Sequence, residues 1–234
     1  MTRAFYKCEK LQTLHVGTGI TQIYNYTFYK CSALTTLTLP AGLTAIGDYA
    51  FRDFSSIKRI DLGNVEYIGG YAFYGCESLA EIDFGDSLIE IGQKAFYKCE
   101  NLIRVNAPDT LVKIGARAFY KCTSLESCAL GGVEYIGDYA FYGCTGLTEL
   151  TLPDSIVSIG DNAFENCTNL ESIEWGTGLD TIGNYAFKYC RALSSVIFFS
   201  DFSTFSGSQV TYLPICFSTW ASLAPMVFIF SSRA

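Results

Sequence analysis

One phenylalanine returns nine times along this chain, at Phe5, Phe28, Phe51, Phe73, Phe96, Phe119, Phe141, Phe164 and Phe187, at intervals of 22 or 23 residues. So regular a period constrains the fold more than any other feature. A unit of this length cannot enclose a core of its own, so its apolar side has to be buried against the copies before and after it. The expected outcome is one continuous stacked array.

The unit has three parts. Ala precedes the phenylalanine in every copy but one, where Thr27 precedes Phe28, and three residues after most copies comes a cysteine, giving A-F-x-x-C. Six residues after the phenylalanine begins L-x-x-L-x-L, as at Leu147, Leu150 and Leu152. Its alternation predicts a short strand with leucines inward and the intervening residues outward. Most units then close on I-G, as at Gly47, Gly92 and Gly160, which predicts a second short strand and a turn. The spacing of Ala, Phe and Cys suits one helical turn burying all three. Strands stacked in register lie about 4.8 Å apart, so nine units extend on the order of 40 Å. Cys128, Ala107 and Trp175 stand where other copies carry strand leucines.

The combination L-x-x-L-x-L-P with I-G-x-x-A-F-x-x-C resembles the BspA-like leucine-rich repeats over roughly residues 4–198. That resemblance implies a leucine-rich-repeat solenoid: a β-rich, right-handed superhelix of short parallel strands with single helical turns. It also implies a bacterial surface or secreted protein that binds other proteins. Residues 1–198 form the array. Residues 199–234 depart from the pattern, lack A-F-x-x-C and I-G, and carry only Asp201 and Arg233 as charges. Two stretches there, Tyr212 to Phe217 and Met226 to Phe230, are strand-like, so the tail reads as an apolar cap over the last repeat, as a docking surface or as a non-native read-through tail.

A net charge of −7 and a pI near 4.7 argue against nucleic acid and against anionic membranes as partners. No apolar run reaches the 18 residues a membrane span requires. The chain opens M-T-R-A-F and enters the first repeat at once, leaving no room for a signal peptide; it is either intracellular or a mature or partial piece of a longer protein, and the second is the expectation.

Ten cysteines raise the question of metal or disulfides. Eight form one ladder, Cys8, Cys31, Cys76, Cys99, Cys122, Cys144, Cys167 and Cys190, with Phe54 in the ninth place. Zinc ligands converge on a point, whereas a ladder spreads its thiols along a line. In-register Cβ atoms at about 4.8 Å also exceed the roughly 3.8 Å of a disulfide. Buried free thiols are expected, with no metal and no cofactor. The single histidine, His15, lies at an outward strand position, and no catalytic motif accompanies it; an enzyme is not expected.

Function should then reside in the outward residues. At mid-array these are Arg59 and Asp61, Glu81 and Asp83, Arg104 and Asn106 on successive strands. Arg59, Glu81 and Arg104 alternate in sign, whereas Asp61 and Asp83 face each other as like charges. These six are the candidate site for a protein partner on a concave strand face. A second row, Tyr6, Tyr29, Tyr74, Tyr97, Tyr120 and Tyr142, follows the phenylalanines and is expected to pack between turns with its hydroxyls in water. The alternative function is structural: Phe5, Leu11 and Leu14 at one end and the apolar tail at the other would allow self-association end to end into filaments.

Overall fold

The computed structural model describes residues 3–198 and 227–230. Each L-x-x-L-x-L segment is a strand: β1 (Thr13–His15), β3 (Thr36–Thr38), β5 (Arg59–Asp61), β7 (Glu81–Asp83), β9 (Arg104–Asn106), β11 (Ser127–Ala129), β13 (Glu149–Thr151), β15 (Ser172–Trp175) and β17 (Ser195–Phe198). Each I-G segment is a two-residue strand: β2 (Gln22–Ile23), β4 (Ala45–Ile46), β6 (Tyr67–Ile68), β8 (Glu90–Ile91), β10 (Lys113–Ile114), β12 (Tyr135–Ile136), β14 (Ser158–Ile159) and β16 (Thr181–Ile182). Every strand pairs in parallel with its copy one turn away, which matches like residue with like: Leu14 with Leu37, Ile60 with Ile82, Leu150 with Ile173. The short strands make one continuous eight-stranded sheet. The long strands form three hydrogen-bonded runs, broken between β3 and β5 and between β7 and β9. The molecule is a parallel β-solenoid. The connection that any parallel pair requires is here the remainder of each turn.

The A-F-x-x-C side corrects one expectation. It is not a helical turn, and no helix occurs among the described residues. Instead three overlapping tight turns follow one another, closed in the fourth repeat by Ala72 N–H to the Gly69 carbonyl (3.3 Å), Tyr74 N–H to the Tyr71 carbonyl (3.2 Å) and Cys76 N–H to the Phe73 carbonyl (3.2 Å). The residues two before and two after the phenylalanine take left-handed backbone, for example Lys94 at φ 53° and Lys98 at φ 57°. That conformation turns alternate amides along the solenoid axis. The Phe28 N–H then donates to Ala50 of the next turn (2.9 Å), Phe51 to Ala72 (2.8 Å) and Phe96 to Ala118 (2.8 Å). A helical turn would have directed the same amides back at its own chain. Each L-residue in this conformation costs about 1–2 kcal/mol, and the inter-turn ladder offsets that cost.

Side chains extend the same principle. The Asn25 carbonyl oxygen accepts from the Asp48 N–H (2.9 Å), Asp48 from Gly70 (2.7 Å) and Asp138 from Asp161 (2.9 Å), always one turn apart.

The core is a set of columns along the axis. The nine phenylalanine rings stack with centroids 5.0–5.5 Å apart and planes within 12° of parallel. Leucine, isoleucine, alanine and cysteine columns flank them, nearly all fully buried. Phe84 and Trp175, both at the last apolar position of their strand segments, stand edge-on to the next turn's ring, Phe84 to Phe96 at 5.8 Å and Trp175 to Phe187 at 5.4 Å. Ala107, one turn after Phe84, is the small residue of this column and is partly buried against the core. In the tail, β18 (Val227–Phe230) adds a parallel strand to β17, Val196 opposite Phe228. The stretch Tyr212 to Phe217 lies outside the described residues.

Candidate functional site

Two surfaces carry side chains that packing does not use, and they lie on different sides of each turn. The first is the outward face of the long strands. Arg59 and Glu81 are direct partners in the β5–β7 register and form an ion pair at 3.6 Å, with both side chains about two-thirds exposed. A pair so open to water contributes at most about 1 kcal/mol. Asp61 and Asp83 also lie directly opposite. Their carboxylates are engaged locally: Asp61 accepts from the Gly63 N–H (2.9 Å) and Asp83 from the Gly85 N–H (3.1 Å). Those backbone donors offset the like-charge repulsion and fix both side chains at the strand ends.

Arg104 and Asn106 are exposed on β9, across the break in the sheet, and their register partners are Ser127 and Ala129. Arg104 makes no ion pair among the described residues, so the alternation in sign closes at Arg59 and Glu81 only. His15 is exposed, with its Nδ1 3.1 Å from the Thr38 hydroxyl.

The second surface is the outer edge of the A-F-x-x-C turns. The tyrosines after the phenylalanines stack at 4.7–4.9 Å: Tyr6 on Tyr29, then Tyr74, Tyr97, Tyr120 and Tyr142 in succession. A second column runs beside it, Tyr26 on Tyr49 on Tyr71 at 4.6 and 4.5 Å, with Tyr139 further along. The columns touch at Tyr26–Tyr29 and Tyr71–Tyr74. Sequence reasoning missed this second column, although I-G-x-Y-A recurs at Tyr49, Tyr71, Tyr139 and Tyr185 and would have shown it.

Cations sit among the rings. The Arg52 guanidinium lies 4.3 Å from the centre of Tyr74 and 5.7 Å from those of Tyr29 and Tyr49. Arg117 is 4.8 Å from Tyr139, and the Lys94 ammonium donates to the Tyr71 hydroxyl at 2.9 Å. That hydrogen bond holds the Tyr71 phenol below its usual range, whereas burial pushes Tyr49 and Tyr120 up.

The thiol ladder lies beneath this edge. Each buried ladder cysteine donates its S–H to the carbonyl of a phenylalanine one turn back, at 3.2–3.4 Å, from Cys31 on Phe5 to Cys190 on Phe164. Burial raises the Cys31 thiol to about 11 and pushes Cys99, Cys122, Cys144 and Cys167 well above the thiol range. Cys8, in the first turn, is exposed. Among the described residues no three His, Cys, Asp or Glu side chains gather as metal ligands would.

A family model for the BspA-type leucine-rich repeat region matches six copies, over residues 1–102, 62–132 and 113–223. The chain belongs to the BspA-type leucine-rich repeat family. Solved structures agree with that assignment. A leucine-rich repeat protein of T. pallidum is 30% identical, with a TM-score of 0.61, the match covering 77% of this chain and 81% of that one. A leucine-rich cell surface protein of Faecalibacterium prausnitzii A2-165 is 27% identical with a TM-score of 0.53. That match covers 89% of this chain but only 63% of the other, so this BspA-type chain spans under two-thirds of that relative's length. No curated protein matches in sequence. The family makes the protein a leucine-rich-repeat scaffold, and no helix among the described residues is long and apolar enough to cross a membrane.

Proposed function

We propose that the protein is a non-catalytic binding scaffold that holds a protein partner on its strand face, centred on Arg59, Asp61, Glu81, Asp83, Arg104 and Asn106. The observation that carries this reading is the fixed placement of charge at mid-array. Two carboxylates are pinned side by side by backbone amides and an ion pair flanks them. Arg104 stands exposed on the next long strand. The corresponding strand positions nearer the start carry Thr13 and His15, then Thr36 and Thr38, with no carboxylate among them. The likeness to a leucine-rich cell surface protein supports a place on a bacterial surface, and adhesion is part of the same proposal.

The test is to recover a partner with the intact protein and measure its affinity for Arg59→Ala and Arg104→Ala. A central patch should lose at least tenfold in affinity with either change. Unchanged affinity places the site elsewhere.

A second reading, self-association through the ends, is favoured by one observation. Phe5 is stacked on Phe28 on one side yet remains 45% exposed, and Tyr6 is 39% exposed. An apolar ring left open on the last rung is a surface a second copy can cover. Residues 199–234 are the other half of this reading, either as the contact or as a cap. Light scattering over a concentration range, with and without residues 200–234, separates the two. A smaller and still soluble truncated protein supports assembly; an aggregated one supports the cap. A strictly monomeric intact chain at high concentration ends the assembly reading.

A further inference from the structure

Charge is distributed very unevenly over this acidic chain. Nine of its 16 lysines and arginines, and 12 of its 16 tyrosines, lie at three positions of the repeat: two before, one after and two after the core phenylalanine. Only two acidic residues, Asp53 and Glu165, share those positions. The outer edge of the A-F-x-x-C turns is therefore a basic, tyrosine-rich strip on a molecule of net charge −7.

The strip is densest in the fifth and sixth turns. Lys94 and Arg117 occupy one column there, Tyr97 and Tyr120 the next, Lys98 and Lys121 the third. Tyr97 and Tyr120 are stacked at 4.7 Å with planes 1° apart, so the backbone positions that carry consecutive cations lie one strand spacing apart, about 4.8 Å. The Lys94 ammonium reaches back to Tyr71 and the Arg117 guanidinium forward to Tyr139, which spreads their charges along the axis. None of the four cations makes an ion pair among the described residues. The inter-turn cap column beside them, aspartate at Asp48, Asp138 and Asp161, is uncharged here as Gln93 and Ala116. The nearest acid along the chain is the exposed Glu100, two residues beyond Lys98.

The backbone shows that the turn itself does not call for lysine at the third position. Lys98 and Lys121 both adopt left-handed φ, 57° and 56°. The same position holds Gly75 and Gly143 in the neighbouring turns, at φ 72° and 70°. Glycine is the residue this conformation favours, and the fold accepts it in those two turns. Lysine at that position gains nothing for the turn, and its side chain lies outside the core.

We propose that Lys94, Lys98, Arg117 and Lys121, with Tyr97 and Tyr120 between them, bind a linear anionic polysaccharide running along the solenoid axis. Cations spread along the axis fit a polymer that repeats its anionic groups, and phenol hydroxyls between them suit the sugar hydroxyls. The tyrosine rings discriminate against single-stranded nucleic acid. Each face of Tyr97 and Tyr120 is occupied by a neighbouring ring, so no face is free for the base stacking that such binding uses. This site is separate from the strand face.

Isothermal titration of the intact protein with a size-defined heparin oligosaccharide, repeated at several salt concentrations, tests the proposal. The deciding variant is Lys98→Gly combined with Lys121→Gly. It removes two charges and places glycine where the turn prefers it, so loss of folding cannot imitate loss of binding. Affinity should fall at least tenfold, the salt dependence should become shallower, and thermal stability should stay level or rise. Lys58→Ala with Lys113→Ala, which removes equal charge elsewhere, should change affinity less than about threefold on the same scale. Arg59→Ala should leave heparin affinity unaltered, which keeps this result apart from the strand-face test. No heparin binding at low salt, an equal loss in the Lys58 and Lys113 variant, or equal or tighter binding of a single-stranded oligonucleotide of matched charge would each overturn the proposal.

Discussion

The Cys122 thiol donates to the carbonyl of Phe96, the core phenylalanine one turn back, at 3.2 Å. That carbonyl already accepts from the Cys99 N–H at 3.2 Å, closing its own turn. A carbonyl has two lone pairs, and at this depth water cannot reach the second one. The cysteine column therefore serves as packing and as the donor that completes the turn beneath. Alanine would fill part of the volume and leave the carbonyl half satisfied.

From this follows the reactivity of the thiols. Cys8 is exposed and should react with a thiol reagent in the native protein. The buried ladder members from Cys31 to Cys190, and Cys128, should react only after denaturant is added. Time-resolved labelling read by mass spectrometry checks this, and fast native labelling of Cys99 or Cys122 would contradict the placement.

Stability should also fall in alkali. The folded Cys31 thiol is raised from an ordinary 9.0 to about 11 by burial, and Cys122 and Cys144 are raised as well. Above pH 9 the unfolded chain loses those protons while the folded chain keeps them, so the unfolded state binds fewer protons. The contribution of each thiol is complete below pH 9 and is lost as pH rises from 9 toward the folded value. Each raised thiol lowers stability by up to about 1.4 kcal/mol per pH unit in that window. Urea denaturation at pH 8 and pH 10 measures the slope, and Cys144→Ala should make it shallower by about one proton.

Truncation of a stacked ring should be severe. Phe119 lies between Phe96 and Phe141 at 5.3 and 5.1 Å and is fully buried. Phe119→Ala should cost about 3–5 kcal/mol in a denaturant midpoint. Phe54 presents a sharper case, because it fills the cysteine place and packs edge-on to Phe51 at 5.3 Å. Phe54→Cys would supply the missing thiol donor to Phe28, yet it empties more volume than one weak hydrogen bond recovers. It should destabilise by about 1–3 kcal/mol.

Two glycines should differ for a geometric reason. Gly63 and Gly85 both have positive φ, 55° and 63°. A Cβ on Gly63 would meet nothing within 4 Å, whereas one on Gly85 would stand 1.8 Å from the Gly63 carbonyl oxygen. Gly63→Ala should cost about 1–2 kcal/mol, the backbone term alone. Gly85→Ala should cost clearly more, since backbone must move in the turn that pins Asp83. Thermal melts of the two variants make the comparison.

The period, the phenylalanine and leucine columns, the two strands per turn and the buried cysteine ladder are all legible from the residues alone. Each is a demand of one turn on its identical neighbour, so repetition announces it: Leu14 must meet Leu37 once Phe5 meets Phe28. Asp61 beside Asp83 follows from the same register. The A-F-x-x-C turn was not legible in this way. Its spacing suits a helix, and only the stacked neighbour, offering the Ala118 carbonyl to the Phe96 amide, makes left-handed backbone at Lys94 and Lys98 the better choice. The second tyrosine column depends on the same turn, because that conformation brings Tyr71 beside Tyr74. The break between β7 and β9, which parts Arg104 from Glu81, has no mark in the repeat. Sequence by itself determined what each turn buries, because burial follows from local pattern. The stacked structure decided where each amide and each exposed ring points, because that depends on the partner the next turn supplies.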